Sequence, residues 1–567
     1  MNAPLTDTAL KPSTIRIGRR YRANRLDDHY DAIVIGSGIG GLTTAACLAR
    51  AGKKVLVLEQ HYTAGGYTHS YARNGYEWDV GVHYIGDMGS PNTLGRRLFD
   101  YISDGKLQWA AMSDNYDRFY LGDQVIDLRA GRAGFRQSLV DAFPGEAKAI
   151  DQYIALLDKV ASGMQIYTLS KLAPGVIGPA LGKAMKLALP SCFNKTTYEV
   201  LSGLTDNQTL IGAITGQWGD CGVTPRQSSF MIHALIAKHY IHGGYYPVGG
   251  ASEIARTIIP VIQHSGGEVM TYADVTDILV RKNRVRGVRM ADGTEILADT
   301  VISGAGVINT FEKLLPPEAA RACGYAAKRR HINPSMPHIG LYIGLRGTPE
   351  ELGLPKTNFW IYPGADHDQN VSRFLADTDG EFPVVYISFP AAKDPSYQAR
   401  YPGTATIEIV APTTYEQFEP WQNTVWGKRG PDYEALKARL TDRLLEKLYE
   451  KLPQLRGKVD YVETSTPLST AWFCRYSRGE LYGLDHTPER FDQRWLRPKT
   501  AIKGLYLTGQ DILTCGVVGA MIGGLITTLA IQGLRGASLA KTIFVDRART
   551  PEQPAEVPKV PKVSTTD

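Results

Sequence analysis

Residues 31–60 read DAIVIGSGIGGLTTAACLARAGKKVLVLEQ. A short apolar run, a glycine-rich turn, a helical stretch and a second apolar run follow one another, which predicts strand, turn, helix and strand. We place the strands at 32–35 and 55–58 and the helix at 42–51. This order is typical of a dinucleotide-binding βαβ unit.

The turn has the G-x-G-x-x-G spacing at Gly36, Gly38 and Gly41, with Gly40 beside the last of them. In this motif the first glycine permits a tight turn, the second lets backbone approach a pyrophosphate, and the third lets the helix pack against the strand. The phosphates then lie at the helix N-terminus, where free N–H groups and the helix dipole favour negative charge.

NAD and FAD both use this fingerprint, so residues further along the chain must distinguish them. Glu59, followed by Gln60, ends the second strand, where a carboxylate accepts hydrogen bonds from the adenosine ribose. HYTAGGYTHSY (61–71) then adds a second place where backbone can lie against a long dinucleotide. The predicted contacts in this stretch are Gly65, Gly66, Tyr67 and Thr68.

A distant segment, GLYLTGQD (504–511), reads as a strand that ends in an acid. Asp511 is placed there to bond a ribityl hydroxyl, a group that NAD does not have. The next helix begins near 516–519, and its N-terminus stabilises negative charge on a reduced flavin. Further predicted contacts are Gly509, Val518 and, in a second α/β-like stretch at 245–305, Val275. Together the three segments predict FAD.

The electron donor or acceptor stays open. No second complete dinucleotide fingerprint occurs in the sequence, since Gly304 and Gly306 form only a fragment. We therefore expect no dedicated nicotinamide domain, and electrons come from or go to a quinone, oxygen, a transiently bound nicotinamide or a partner protein.

The fold class predicted is α/β: a Rossmann-like FAD-binding domain made of three separated segments, interleaved with an α+β substrate domain that contains a mixed or antiparallel sheet. HIGLYIGLRG, FPVVYISFP and TATIEIVAP are its β-rich runs, and a helix with leucines at 436, 440, 444 and 448 has a core-facing stripe. The predicted boundaries are 1–28 (basic flexible arm), 29–99 (FAD segment 1), 100–240 (helical, membrane-facing insertion), 241–310 (FAD segment 2), 311–500 (substrate sheet and helices), 501–545 (FAD segment 3) and 546–567 (disordered tail).

Composition excludes several classes. The chain has 63 Lys and Arg against 57 Asp and Glu, a net charge of +6, which is small for 567 residues and gives no indication of nucleic-acid binding. The six cysteines are scattered, which argues against disulfides and against a metal site and fits a reducing compartment. The polar N-terminus predicts no secretory signal. Two uncharged stretches, 32–49 and 512–534, are interpreted as buried βα units rather than membrane spans.

The region from Lys159 to Tyr198 holds five lysines and no acid, interleaved with apolar residues. This composition suits a segment lying in an anionic bilayer interface, and equally a lid helix with its lysines in solvent. Together with the basic arm it predicts a cytoplasmic protein that associates peripherally with an anionic membrane surface.

The motifs resemble those of the phytoene desaturase, carotenoid isomerase and retinol saturase superfamily of FAD oxidoreductases. GYEWDVGVHYIGD (75–87) and TGQDILTCGVVGAMIGG (508–524) are most similar to the retinol saturase branch, and YYPVGG (245–250) is similar to a loop of the superfamily. The resemblance implies saturation, desaturation or cis–trans isomerisation of carbon–carbon double bonds in a long hydrophobic polyene. One position departs: Tyr67 follows the GG pair, where related desaturases commonly have Arg or Ser.

Position in such a fold places the candidate catalytic residues His83 and Tyr84 beside the isoalloxazine. His83 either transfers a proton while hydride moves at flavin N5 or packs on the ring, and Asp87 either orients it or caps a turn. Flat aromatic surfaces suit a conjugated chain, so a substrate tunnel is predicted, although core packing is the competing role for each residue. The candidate substrate residues are Trp218, His239, Tyr245 and Tyr246.

Two other functions remain open at this point. The same flavin site could act on unsaturated fatty acyl chains, whose tunnel has the same sequence character. The protein could also be a non-catalytic lipid carrier in which FAD is structural. An amine oxidase is a further option, since that family shares the fold.

Overall fold

The computed structural model describes residues 15–172 and 190–545. The other residues include half of the predicted basic arm, the centre of the lysine-rich run and the proline-rich tail. The predictions for those parts lie outside the described residues.

A six-stranded sheet forms the dinucleotide fold, and every neighbouring pair of its strands is parallel. Its strands, in spatial order, are Arg19–Arg20, Glu268–Thr271, Val55–Leu58, Ala32–Ile35, Val301–Ser303 and Leu505–Leu507. The central strands are apolar along their whole length because helices cover both faces of a parallel sheet. The three predicted segments therefore meet in one Rossmann-like sheet, as expected from the sequence.

Close helix packing brings the third segment over the glycine turn. The helices Ile39–Arg50 and Gly516–Gln532 cross with their backbones almost touching. A Cβ on Gly524 would lie 2.5 Å from the carbonyl oxygen of Gly40, and a Cβ on Gly40 would lie 2.5 Å from Cα of Gly509. Only glycine fits there, so this packing fixes where the turn and the third segment meet.

A seven-stranded mixed sheet makes up the other half of the protein. Its order is Val459–Ser465, His338–Arg346, Thr404–Pro412, Val385–Ser388, Asn358–Tyr362, Asn115–Leu121 and Gln124–Arg129. All pairs are antiparallel except Asn358–Tyr362 with Asn115–Leu121. Two of its strands thus come from the 100–240 segment, for which the sequence predicted helices. The leucine stripe of Pro431–Lys451 packs in the core against this sheet, as predicted.

Three smaller sheets connect the halves. They are the pair Ser70–Arg73 and Tyr76–Asp79, the three strands Ile85–Gly86, Gly244–Pro247 and Trp109–Ala111, and the meander Val275–Arg281, Arg284–Met290 and Glu295–Leu297. Within residues 15–172 and 190–545, the remaining α-helices of six residues or more are Leu94–Ser103, Arg132–Ala142, Ala147–Leu172, Gln208–Ile214, Phe230–Tyr240, Ser252–His264, Pro317–Ala322, His367–Ala376, Pro467–Cys474 and Ala537–Phe544.

One helical stretch of the described chain, Gly516–Phe544, is long and apolar enough to cross a membrane by length and composition. More than half of its most apolar window is buried inside the protein, and its first helix packs on the dinucleotide fold. This burial supports the interpretation of the stretch as a core helix.

Candidate active site

A cavity of about 540 Å³ lies between the two large sheets. Its glycine end is formed by the turn 36–41, Glu59 and the start of the helix at Gly516. Its sheet end is formed by His83, Trp218, Asp220, Trp360 and Tyr386, of which the last two lie on strands of the seven-stranded sheet. One continuous space therefore joins the dinucleotide motif to an aromatic wall.

The glycine turn leaves its backbone open to the cavity. Gly36 has φ of +90°, a conformation that favours glycine, and a Cβ on Gly41 would lie 2.3 Å from the carbonyl oxygen of Gly36. A Cβ on Gly38 would meet nothing within 4 Å and would point into open space. The first N–H groups of the helix Ile39–Arg50 have no partner within the helix, so they are available to an anion in the cavity.

Glu59 is held in place by neighbours of the turn. One carboxylate oxygen accepts the backbone N–H of Ser37 at 2.8 Å and its hydroxyl at 2.7 Å, and the other accepts the N–H of His61 at 2.8 Å. A carboxylate has about four acceptor positions, so capacity remains for a ribose hydroxyl. Next to it, Gln60 donates to the carbonyl of Phe473 at 2.8 Å and accepts from Arg475 at 2.6 Å, which ties this edge of the cavity to a distant segment.

Most of the predicted cofactor residues do line the cavity. They are Gly36, Gly38, Gly40, Gly41, Glu59, Gln60, Gly66, Tyr67, Thr68, Val275 and Gly509. They come from all three predicted segments, which the parallel sheet brings to one edge.

Asp511 does not line the cavity as predicted. Its two carboxylate oxygens accept the backbone N–H groups of Val307 at 2.7 Å and Leu484 at 3.2 Å, and its side chain is buried. Gln510, which precedes it, lines the cavity instead and donates to the hydroxyl of Tyr476 at 3.2 Å. The chain turns through a 3-10 helix here, so neighbouring side chains point in different directions. Asp511 clamps two loops together, and Gln510 is the residue available to a ligand.

Four further predicted residues do not line the cavity, either because of their position on a helix or because their side chains pack elsewhere. Val518 packs towards Gly95, because on a helix its neighbours Val517 and Ala520 occupy the cavity face. His239 accepts the backbone N–H of Gly86 at 2.8 Å. The other two are the tyrosines at 245 and 246, of which the first packs on Gly89 and the second donates its hydroxyl hydrogen to Asp79.

Gly65 and Tyr84 also lie outside the cavity wall. Gly65 donates its N–H to the Ser37 hydroxyl at 3.0 Å, one residue before the part of the turn that faces the cavity. His83 lines the cavity, whereas Tyr84 does not. Tyr84 stacks on Tyr240 with ring centroids 4.1 Å apart, and its hydroxyl donates to Asp117 at 2.9 Å.

His83 is paired with an acid from a distant part of the chain. Its Nδ1 lies 2.8 Å from an oxygen of Glu408, which is far away in sequence on the strand Thr404–Pro412. Burial lowers the pKa of His83 to about 3, helped by the nearby Lys393, and burial raises the pKa of Glu408 to about 8. Both groups are neutral at pH 7, and Asp87 does not take the orienting position that was one of its two predicted roles.

Lys393 and Asp79 complete a buried group of ionisable residues around this pair. The Lys393 ammonium donates to the carbonyl of His83 at 2.9 Å and to the Ser388 hydroxyl at 2.7 Å, and burial lowers its pKa to about 7. Burial, together with Glu408, raises the pKa of Asp79 to about 7. Low polarity thus disfavours every charge in this group.

Asp220 is the acid at the sheet end of the cavity. Burial, reinforced by the charge of Asp117, raises the pKa of Asp220 well above its usual range. Asp117 is itself fully buried and accepts hydrogen bonds from Gln217 at 2.8 Å and Asn358 at 2.9 Å. Burial and the charge of Asp117 both favour the protonated form of Asp220.

Aromatic rings form most of the remaining sheet end. Trp360 and Tyr386 lie with ring centroids 4.5 Å apart, and Trp218 and Tyr482 complete the wall with Met336. Of the predicted substrate residues, only Trp218 is at the cavity. Within the described ranges no group of three or more His, Cys, Asp or Glu could hold a metal ion.

The residues missed by sequence reasoning share a recognisable feature. Glu408 is the one charged residue of TATIEIVAP, on the same strand face as Val410 and Pro412, which line the cavity. A lone carboxylate at a buried position of an apolar strand is costly without a partner and so indicates a special role. Asp220 is likewise the one charged residue of GQWGDCG (216–222).

Known proteins resemble this chain along most of its length. It is 39% identical over 549 residues to the all-trans-retinol 13,14-reductase of Homo sapiens, covering 93% of this chain and 90% of that protein. It is 27% identical over 519 residues to the chloroplastic prolycopene isomerase 2 of an Oncidium hybrid cultivar, covering 88% and 83%.

The fold also has known counterparts. Residues 34–102 match the family described as NAD(P)-binding Rossmann-like domain. An oxidoreductase from Methanosarcina mazei superposes with a TM-score of 0.58 at 18% identity, covering 87% of this chain and 98% of that one. This likeness shows the shared fold.

Proposed function

The chain belongs to the all-trans-retinol 13,14-reductase family, the retinol saturase branch expected from its motifs, and on this premise we propose that it saturates a carbon–carbon double bond of a long polyene such as a retinoid, using FAD. The observation that carries the proposal is the single cavity that joins a dinucleotide-binding turn to an aromatic wall containing Asp220, an acid whose pKa burial raises well above its usual range. An oxidoreductase that acts on a hydrophobic chain needs its cofactor site and its substrate site in one continuous cavity.

FAD fits the glycine end. The open backbone at Gly38 and the free helix N-terminus suit a pyrophosphate, and Glu59 retains acceptor capacity for a ribose. The cavity continues past these groups to Tyr67 and Gln510, which gives room and polar contacts for a ribityl chain and a flavin ring. We assign the ribityl contact to Gln510, since its side chain lines the cavity and that of Asp511 does not. Bound and reduced, FAD supplies hydride from N5.

The sheet end suits a conjugated hydrocarbon. Trp218, Trp360, Tyr386 and Met336 offer flat or polarisable apolar surfaces, and stacking on such surfaces favours a planar polyene over a flexible saturated chain. The fatty acyl and carrier alternatives lose ground because the relatives are named for chemistry on retinol and prolycopene.

Asp220 is the residue we assign to protonation of the substrate. Saturation adds hydride to one carbon and a proton to its neighbour, so an acid must face the second carbon. A carboxyl that is neutral at pH 7 can donate that proton, and Asp220 lines the wall where the polyene would lie. Burial lowers the pKa of His83 to about 3, so this side chain is neutral and holds no proton to transfer to the substrate. We assign it a hydrogen-bonding role instead.

The test is product analysis by mass spectrometry after the FAD-loaded enzyme has been reduced without oxygen. The reduced enzyme is mixed with a panel of retinoids, carotenoids and unsaturated fatty acids. We expect one polyene to gain two hydrogen atoms while the flavin reoxidises. A polyene that changes isomer without gaining mass would indicate isomerisation, the activity named for the prolycopene isomerases. A flavin that no polyene reoxidises would contradict the proposal.

Peripheral membrane association is a further part of the proposal, because a greasy substrate must enter from a lipid phase. Its support is the lysine-rich run, in which Lys159, Leu169 and Lys195 are exposed. Lys171 of the same run is buried, donates to the carbonyl of Leu496 at 2.8 Å and does not contribute. Liposomes containing anionic lipid should co-sediment with the protein, and deletion of 165–192 should weaken this. Equal solubility of both forms would contradict it. The electron donor stays unassigned.

A further inference from the structure

Glu408 is almost completely buried, with 1% of its side chain exposed, yet it reaches the cavity wall through His83. Its strand alternates, with Ala405, Ile407 and Ile409 packed in the core and Glu408 on the opposite face. The carboxyl group makes two contacts of different kinds. One oxygen, Oε1, accepts the backbone N–H of Asp79 at 2.6 Å, and the other, Oε2, faces Nδ1 of His83 at 2.8 Å.

These contacts determine where a proton on this carboxyl must sit. Oε1 already receives a hydrogen from a backbone donor that cannot reverse its role, so a hydrogen on Oε1 would face another hydrogen. A protonated Glu408 therefore carries its hydrogen on Oε2. That hydrogen points at Nδ1, which must then be the unprotonated ring nitrogen, and the hydrogen of a neutral imidazole is left on Nε2.

The surroundings favour the neutral state of this pair. The ionisable groups facing it from the packed elements are Asp79, Lys393, Tyr246, Tyr342 and His338. Burial raises the pKa of Glu408 to about 8 although the Asp79 N–H and Lys393 oppose this, and burial lowers the pKa of His83 to about 3. Around pH 7 the pair holds two neutral groups.

We propose that Glu408 is a positioning residue whose carboxyl donates a hydrogen bond to Nδ1 of His83 and so keeps the imidazole hydrogen on Nε2, where it is presented to the cavity. His83 lines the cavity, and its Nε2 has no hydrogen-bond partner among the described residues. The inference deepens the proposed function, since it assigns the hydrogen-bonding sense of one residue in the same site.

The arrangement reverses when Glu408 loses its proton. A carboxylate accepts from Nδ1–H, so the imidazole hydrogen moves from Nε2 to Nδ1 and Nε2 becomes an acceptor. Below pH 8, the Nε2–H group of His83 donates a hydrogen bond to a ligand in the cavity. Above pH 8, the same ligand faces the lone pair of Nε2, and this hydrogen bond is lost. Turnover should therefore fall on the alkaline side, with a midpoint near pH 8.

Two variants test this in the full-length, FAD-loaded enzyme. In Glu408→Gln the amide N–H₂ can donate to Nδ1 while the amide oxygen accepts from Asp79, so the Nε2–H form is kept at every pH. In Glu408→Leu nothing holds the ring. We expect Glu408→Gln to keep turnover within about threefold of the wild type at pH 7 and to lack the alkaline fall, and Glu408→Leu to lose about tenfold or more.

The matched control is Glu463→Gln, which removes a carboxylate from Val459–Ser465, two strands away in the same sheet, and should follow the wild-type pH profile. In a His83→Asn background, Glu408→Leu should cost nothing further, because Glu408 acts only through His83. An alkaline fall that persists in Glu408→Gln, or equal losses in the Gln and Leu variants, would overturn the proposal.

A readout without cofactor or substrate separates this inference from the proposed function. The unfolded chain ionises Glu408 near its ordinary pKa of 4.5, and the folded chain only near 8, so wild-type stability falls across that interval. The Tm of Glu408→Gln minus that of the wild type should therefore rise by several degrees from pH 5 to pH 8 and level off above it. A constant difference would refute a protonated Glu408 even if no substrate has been found. A rising difference with no active polyene would leave the proton assignment standing and count against the function alone.

Discussion

At the glycine end of the cavity the wall is mostly backbone of the contiguous turn 36–41, joined by Glu59 and by Gly516 from a distant segment, whereas at the sheet end it is made by side chains of segments scattered between His83 and Tyr482. The glycine end offers mainly backbone N–H groups and a helix terminus, which do not titrate. The sheet end holds buried acids whose pKa values are raised. The first end is therefore built for affinity that is insensitive to pH, and the second for proton chemistry that depends on it.

The largest effect is expected from Gly41→Ala, which disrupts the packing of the helix against the strand at the glycine end. The added Cβ would lie 2.3 Å from the Gly36 carbonyl oxygen, so the helix must move off the strand. We expect a loss of about 1–3 kcal/mol in the free energy of unfolding, as for other overpacked sites, and no FAD retained on purification. Gly38→Ala is the matched control, because its Cβ meets no protein atom. It should lose FAD with the Tm of the cofactor-free protein unchanged, and an equal loss of stability in both variants would contradict this assignment.

At the sheet end, Asp220→Asn should reduce turnover by about 10²- to 10⁴-fold, the range for loss of a general acid. FAD content and Tm should stay close to those of the wild type, since the amide keeps the shape of the side chain. Single-turnover reoxidation of reduced flavin by the polyene is the measurement. Turnover at the wild-type rate in Asp220→Asn would show that Asp220 is not the proton donor. The proposed catalytic role of the sheet end would then be wrong.

The dependence on pH should likewise be confined to the sheet end. The pKa of Asp79 is about 7 in the folded protein against 3.8 in the unfolded chain, so the unfolded state releases its proton first. Asp79 therefore favours the folded state below about pH 4 and progressively less up to pH 7. Asp79→Asn should gain Tm relative to the wild type across that interval, measured by thermal unfolding. A difference that does not change with pH would contradict the raised pKa.

The smallest effects should separate the residues that line the wall from those behind it. Trp218→Leu removes a stacking surface worth about 0.5–1.5 kcal/mol, so KM for the polyene should rise about two- to tenfold. Tyr245→Phe removes a hydroxyl that packs on Gly89 outside the cavity, and KM should stay within about twofold. The reverse order of effects would mean that the substrate occupies a different space.

The two ends of the cavity also differ in how well the sequence predicted them. Gly36, Gly38, Gly41 and Glu59 could be placed because a contiguous strand, turn and helix fix them relative to one another. Asp511 does not line the cavity and the adjacent Gln510 does, since the chain passes through a 3-10 turn after the strand. Local periodicity cannot resolve such a turn.

The sheet end could be predicted only in outline. The mixed sheet and the leucine-striped helix follow from periodicity, but the pairing of His83 with Glu408 depends on strand order and register across 325 positions of sequence. Aromatic residues near a glycine, such as Tyr245 and Tyr246, are as common in packing as in binding sites. Only the tertiary structure distinguishes those two uses.

The strand order of the six-stranded sheet has a consequence for biosynthesis. Val55–Leu58 is made long before Leu505–Leu507, the strand that precedes Gly509 and Gln510. At about 5–20 residues per second, the chain between these two strands takes on the order of 20–90 s to translate. Until Leu505–Leu507 has been made, the edge of Val301–Ser303 lacks its neighbour and the cavity lacks part of its wall. We therefore expect the cavity to reach full affinity for a nucleotide only after this strand has been added.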